Sequence, residues 1–150
     1  MTDIAIEDLI SHREPMSFLS RFIKAEGEKA VCEVDITPES AFYEPSLRGV
    51  PSYIGIEYIA QTIAAFAGMN ARRAQREVKI GFLLGTRKLK LHESLFKLNS
   101  TCVIHVEQMY MDESGLAVFD ARIDCDEQLM VEGTVNVFQP ENTEEFLETK

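Results

Sequence analysis

Apolar and polar residues alternate along much of this chain. In residues 30–36, Ala30, Cys32, Val34 and Ile36 face one way and Glu33 and Asp35 the other, the period of a half-buried strand. Residues 17–25 predict a strand before it, with Glu26-Gly27-Glu28 as the turn between them. The alternation returns later. Residues 101–110 set Cys102, Ile104 and Val106 against Thr101, His105 and Glu107. Residues 116–123 turn Ala117, Phe119, Ala121 and Ile123 inward, and 130–138 do the same with Val131, Gly133, Val135 and Val137. Asp112-Glu113-Ser114-Gly115 and Asp124-Cys125-Asp126-Glu127 supply the turns between these runs. Residues 78–91 predict one more strand, interrupted at Gly85 and shifting from apolar to basic.

Between the two groups the period changes. Residues 50–69 carry apolar side chains in nearly every helical direction, as in a helix enclosed by protein on all sides. The helix is predicted from about 53 to about 73, roughly 30 Å at 1.5 Å per residue. A connection with Pro38, Pro45, Gly49 and Pro51 leads into it. Nearer the start, residues 3–11 predict a short helix with Ile6, Leu9 and Ile10 on its apolar side, ended by His12-Arg13-Glu14-Pro15. Two strands, one buried helix and four strands in antiparallel succession make an α+β fold. A single sheet curled around the helix buries every apolar row and leaves the outer rows polar. A parallel sheet would need more crossover helices than the chain offers. One domain spans residues 1–139, and the acidic stretch 140–150 reads as a frayed tail.

Glu57 stands in this apolar helix, where a carboxylate loses solvation unless it is paired, protonated or used. Gln61 follows four residues later, on the same helix face. A desolvated carboxylate can exchange protons near neutral pH, and an adjacent amide can orient it or a substrate oxygen. The turn Pro51-Ser52-Tyr53-Ile54-Gly55 leaves backbone N–H groups that can polarise a carbonyl, and small residues at Gly49, Ser52 and Gly55 admit a ligand close to the backbone. The same position also suits a structural carboxylate held by the helix dipole and a nearby arginine; spacing does not separate the two.

Composition narrows the classes. At 150 residues and 17.0 kDa, with net charge −10 and pI near 4.8, the chain is acidic enough to disfavour nucleic acid and anionic membranes as partners. Basic clusters at Arg72-Arg73 with Arg76, and at Arg87-Lys88 with Lys90, are either solvated element ends or contacts for an acidic carrier protein. Residues 54–69 are too short for a membrane span and contain Glu57, Gln61 and Thr62. Cys32, Cys102 and Cys125 lack the close spacings that hold zinc, so no metal is expected. With no signal-like N-terminus, reduced thiols in a cytoplasmic protein are expected, Cys32 and Cys102 packing in the core. His12 suits a structural hydrogen bond, and His92 and His105 are expected at the surface.

The stretch Ser11-His12-Arg13-Glu14-Pro15-Met16-Ser17-Phe18-Leu19-Ser20-Arg21 resembles the N-terminal Pro-His-Arg-x-Pro segment of the 3-hydroxyacyl-acyl carrier protein dehydratases. Pro51 with Ile56-Glu57-Tyr58-Ile59-Ala60-Gln61 resembles their central-helix signature, and Ile80-Gly81-Phe82-Leu83-Leu84-Gly85-Thr86 stands where their glycine-containing strand does. Val50-Pro51, Gly55-Ile56-Glu57-Tyr58 and Gly81-Phe82-Leu83-Leu84-Gly85 are also similar to dehydratase-like proteins of aryl polyene and related fatty-acid-like pathways. The resemblance covers roughly residues 6–138. It implies the hotdog fold, a curved antiparallel sheet around a central helix, and a homodimer or higher oligomer with acyl tunnels at the subunit interface. The substrate it implies is a 3-hydroxyacyl thioester on the phosphopantetheine of acyl carrier protein or CoA, with no other cofactor. Glu57 matches the family's acid, and Gly49, Pro51, Tyr53, Gly55, Gly81 and Phe82 fall where its substrate contacts would lie.

One departure matters. The family pairs its acid with a histidine from the loop before the helix, donated across the dimer. Here that position, fourteen residues before Glu57, holds Tyr43, and no histidine lies between His12 and His92. Three explanations stay open. Tyr43 can serve as a weaker partner, since a phenol with an ordinary pKa of about 10 is a poor base at neutral pH. The chain can be a divergent subunit that pairs with a complete dehydratase as a hetero-oligomer. It can also be a hotdog thioesterase in which Glu57 and Gln61 activate water.

Overall fold

The structure, a computed structural model, describes residues 18–75 and 82–138. The helix expected over 3–11, His12, Gly81 and the tail 140–150 lie outside the described residues. In chain order the elements are β1 (Arg21–Glu26), β2 (Lys29–Asp35), β3 (Gly49–Pro51), α1 (Gly55–Arg73), β4 (Phe82–Leu91), β5 (Leu95–Lys97), β6 (Thr101–Met111), β7 (Leu116–Cys125) and β8 (Gln128–Phe138). Six strands form one antiparallel sheet in the order β1-β2-β6-β7-β8-β4, and β3 with β5 forms a separate two-stranded ribbon. The helix packs on β1, β2, β6 and β7, which is the hotdog arrangement.

The expected inner rows form the core. Ala30, Cys32, Val34, Cys102, Ile104, Val106, Ala117, Phe119, Ala121 and Ile123 are buried against Tyr58, Ile59, Ile63, Phe66 and Met69 of α1. Phe66 meets Phe119 edge-on at 5.6 Å between ring centroids. Each large apolar side chain so buried contributes about 1.5–3 kcal/mol, so α1 is held by its packing rather than by its caps. Its first residues carry no side-chain cap. Its last turn ends in Arg72 and Arg73, favourable at the negative end of the helix dipole, and Arg73 Nη2 donates to the Ala25 carbonyl at 2.8 Å. Arg73 thus ties the helix end to β1.

Several expectations need correction. The helix is not enclosed all round: Ile56, Glu57, Ala60, Ala64, Ala67 and Asn70, spaced three or four apart, form a half-exposed stripe. Its first turn, Ser52–Ile54, is a 3-10 turn, so the α-helix proper starts at Gly55. Strand β1 starts at Arg21 rather than at 17, because the Phe18 backbone turns away from β2 to meet α1. Cys125 is the buried last residue of β7, not part of a turn; the turn is Asp126-Glu127, both with positive φ. His105 does face outward from β6 but is half-buried, and burial, followed by the nearby Arg122 charge, lowers its pKa.

Candidate active site

Gln61 organises the start of α1. Its side chain is completely buried, Nε2 donates to Glu57 Oε1 at 3.2 Å, and Oε1 accepts the Phe18 backbone N–H at 2.8 Å. The spacing of one helical turn stacks the two side chains, and the anchor to Phe18 fixes the amide that fixes the carboxylate. Glu57 is half-buried in the first turn, where the helix dipole favours negative charge. The Phe18 ring stands edge-on to Tyr58 at 6.2 Å and to Phe42 at 5.9 Å, and Tyr58 stacks on Phe96 at 5.6 Å. These rings form an apolar cluster on the start of α1. Burial raises the Tyr58 phenol well above its ordinary pKa, so Tyr58 packs there as a neutral ring.

The remaining predicted residues divide by location. Tyr43 is half-buried against the core in the loop before β3, its N–H donating to the Ser40 carbonyl at 3.0 Å. Among the described residues its phenol makes no hydrogen bond to Glu57. Gly49 and Gly55 are buried, and their lack of a side chain serves packing. A Cβ on Gly49 would lie 2.4 Å from the Phe96 carbonyl oxygen, and one on Gly55 would lie 2.9 Å from Ile123 Cδ1 and 3.1 Å from Phe96 Cζ. Those close approaches let the ribbon and the helix start settle onto Phe96. Pro51 pairs with Leu95 in the ribbon, and Tyr53 projects from the 3-10 turn with 62% of its surface exposed. Ser52 is buried, and its hydroxyl is the one buried side-chain polar atom among the described residues with no hydrogen-bond partner. Phe82 opens β4 opposite Phe138, on the edge strand of the sheet.

The two described histidines are engaged elsewhere. His92 Nε2 lies 2.6 Å from Glu132 and His105 Nε2 lies 3.5 Å from Asp124. A hollow of about 670 Å³ lies on the outer face of the sheet, lined by Lys24, Lys29, Lys88, Lys90 and Arg122 among others, and Glu57 is not part of it. Among the described residues no helix is long and apolar enough to cross a membrane, and no group of three His, Cys, Asp or Glu is placed to hold a metal ion.

The family model described as ApeP-like, ApeP dehydratase, matches residues 4–148. The chain belongs to the ApeP-like dehydratase family. It is also similar to the 3-hydroxyacyl-[acyl-carrier-protein] dehydratase FabZ of Bacillus pumilus (strain SAFR-032), at 32% identity over 94 residues; the match covers 51% of this chain and 65% of that protein, just under two thirds. In fold it matches a chain of the dehydratase heterocomplex ApeI:P from Xenorhabdus doucetiae, with a TM-score of 0.89 and 24% identity over 97% of each chain. A hypothetical thioesterase from Streptococcus pneumoniae TIGR4, solved with coenzyme A, shares the fold more loosely, with a TM-score of 0.62 and 13% identity over 79% of this chain and 83% of that one.

Within this family the Glu57-Gln61 pair was legible from its spacing. Phe18 and Phe42 were not, because their approach to α1 joins residues far apart in the chain. The Phe18–Gln61 bond spans 43 positions, and no local pattern signals it.

Proposed function

We propose that this chain is the carboxylate-bearing subunit of a two-subunit dehydratase that removes water from a 3-hydroxyacyl thioester carried by acyl carrier protein or CoA. The observation that carries the reading is Glu57, fixed at the start of α1 by a buried Gln61 that is itself anchored to the Phe18 backbone. Elimination removes a proton from C2 and delivers one to the departing C3 hydroxyl, so it needs an acid and a base and no redox cofactor. Glu57 serves as one of the pair, and Gln61 holds its plane. An imidazole serves as the other, and here Tyr43 occupies the position where the resemblance expects that histidine.

Two features favour a partner as its source. The half-exposed stripe of Ile56, Ala60, Ala64 and Ala67 continues from Glu57 along α1 and, among the described residues, gives an acyl chain no closed wall. In the segment that leads into α1, Phe42, Leu47 and Tyr53 are 58%, 56% and 62% exposed, apolar surface that a second hotdog subunit would cover. A similar fold in a dehydratase heterocomplex supports the pairing. In this arrangement Pro51 and Tyr53 border the acyl channel, and Gly49 and Gly55 act indirectly by seating the turn.

The test is to incubate a 3-hydroxyacyl carrier-protein thioester with the chain alone, with a histidine-containing hotdog partner from the same pathway, and with both. Water loss is then followed by intact mass. Turnover confined to the mixture, with co-elution on size exclusion, is expected. Water loss by the chain alone at the rate of the mixture would assign the second group to this chain. Thiol release without water loss would move the assignment to a thioesterase, the reading that the Glu57-Gln61 pair also allows.

A further inference from the structure

Cys102 on β6 and Cys125 on β7 are directly opposite each other in the antiparallel register. Both are buried on the inner face, and the Cys125 thiol donates to Cys102 Sγ at 2.9 Å. Directly opposed residues in an antiparallel pair have Cα atoms about 4.5–5.5 Å apart. That separation lies inside the range a disulfide spans, about 4.4–6.8 Å. The third cysteine is not an alternative partner. Cys32 sits on β2 opposite Ile104, while Cys102 faces Val34, so Cys32 is one diagonal step away.

We propose that Cys102 and Cys125 form a modification site: a dithiol that peroxide closes into a cross-strand disulfide, locking β6 to β7 in the floor beneath Tyr58. Cys125 ends its strand beside the Asp126-Glu127 turn and retains slight exposure, whereas Cys102 has none, so the oxidant meets Cys125 first. The Cys125 sulfur attacks one peroxide oxygen as the O–O bond breaks. This forms the sulfenic acid and releases one water. The Cys102 sulfur then attacks that sulfenic sulfur, the S–S bond forms, and the hydroxyl leaves as a second water with the Cys102 proton. In sum two thiols and one hydrogen peroxide give one disulfide and two waters, the two electrons passing from sulfur to peroxide. The neighbouring sulfur and burial both raise the Cys102 pKa, which makes closure slow and suits a lock set by sustained oxidation. Since α1 packs on β6 and β7, the crosslink stiffens the sheet under the proposed site without adding a group to it.

The experiment treats the full native chain with hydrogen peroxide, quenches with catalase, denatures, and alkylates with N-ethylmaleimide. Intact mass is expected to show one alkylated thiol instead of three and the loss of two hydrogens, reversed by dithiothreitol. A peptide map is expected to join the Cys102 and Cys125 peptides. The oxidised chain should melt about 5–10 °C higher than the reduced one. Cys32→Ser should leave the mass change intact, and Cys125→Ser should abolish it; if Cys125→Ser fails to fold, the wild-type map alone decides. Three alkylated thiols, a bridge through Cys32, an intermolecular bridge, or sulfinic acid at either position would overturn the proposal.

Discussion

Replacing Gln61 with Met tests the chain of hydrogen bonds that positions Glu57. Methionine keeps the length, nearly the volume and the helix preference of glutamine, so the substitution removes polar contacts and little else. The partly buried Phe18 N–H loses its acceptor at 2.8 Å, which costs about 1–3 kcal/mol. Glu57 loses a charge-assisted bond at 3.2 Å, but the carboxylate is half-exposed and water replaces much of it, so about 1 kcal/mol is a fair share. The total, about 2–4 kcal/mol, is a large part of a typical stability of about 5–15 kcal/mol, and urea unfolding would show it as a lower midpoint at unchanged slope. If Gln61 orients the carboxylate, Gln61→Met in the reconstituted dehydratase also lowers kcat by about 10–100-fold with KM little changed. A destabilised variant with full kcat would make the amide purely structural. A variant of unchanged stability would refute the hydrogen-bond chain itself.

Gly55→Ala places a methyl 2.9 Å from Ile123 Cδ1 and 3.1 Å from a Phe96 ring carbon, and overpacking of about 1–3 kcal/mol is expected in thermal unfolding despite alanine's better helix propensity. Glu127→Gly relieves a left-handed residue (φ 67) in the two-residue turn between β7 and β8. It should raise stability by about 0.5–1 kcal/mol, read by urea midpoint. Asp35 accepts two bonds from Arg21, at 2.7 and 2.6 Å, and these pull its pKa below the usual carboxylate value. Its contribution is present above the unfolded pKa and is lost as pH falls through the lower folded one. Asp35→Asn should therefore be less stable than wild type at neutral pH, by under about 1 kcal/mol for so exposed a pair, with the gap closing in acid.

The long elements were legible because their burial has a period. The alternating rows of β2, β6 and β7 were readable residue by residue, and the helix ended where expected, at Arg73. The β3–β5 ribbon was not. Three-residue strands show no period, and Gly49 and Pro51 read as breakers although the ribbon needs a residue without Cβ against the Phe96 carbonyl. Cys125 was placed in the turn because Asp126 and Glu127 adopt positive φ without the Gly or Asn that normally announces such a turn. At the site, Glu57 and Gln61 followed from one helical turn of spacing. The half-exposed stripe was hidden in the sequence because it is mostly apolar, and an alanine on a helix surface looks like an alanine in the core.

The contribution of Glu57 to water loss can be measured directly. In the reconstituted pair, a single turnover of 3-hydroxyacyl carrier protein followed by mass should lose one water with wild type. With Glu57→Gln, under conditions where the complex still assembles, the rate should be at least about 100-fold slower. Wild-type rates from the assembled Glu57→Gln complex would contradict that contribution.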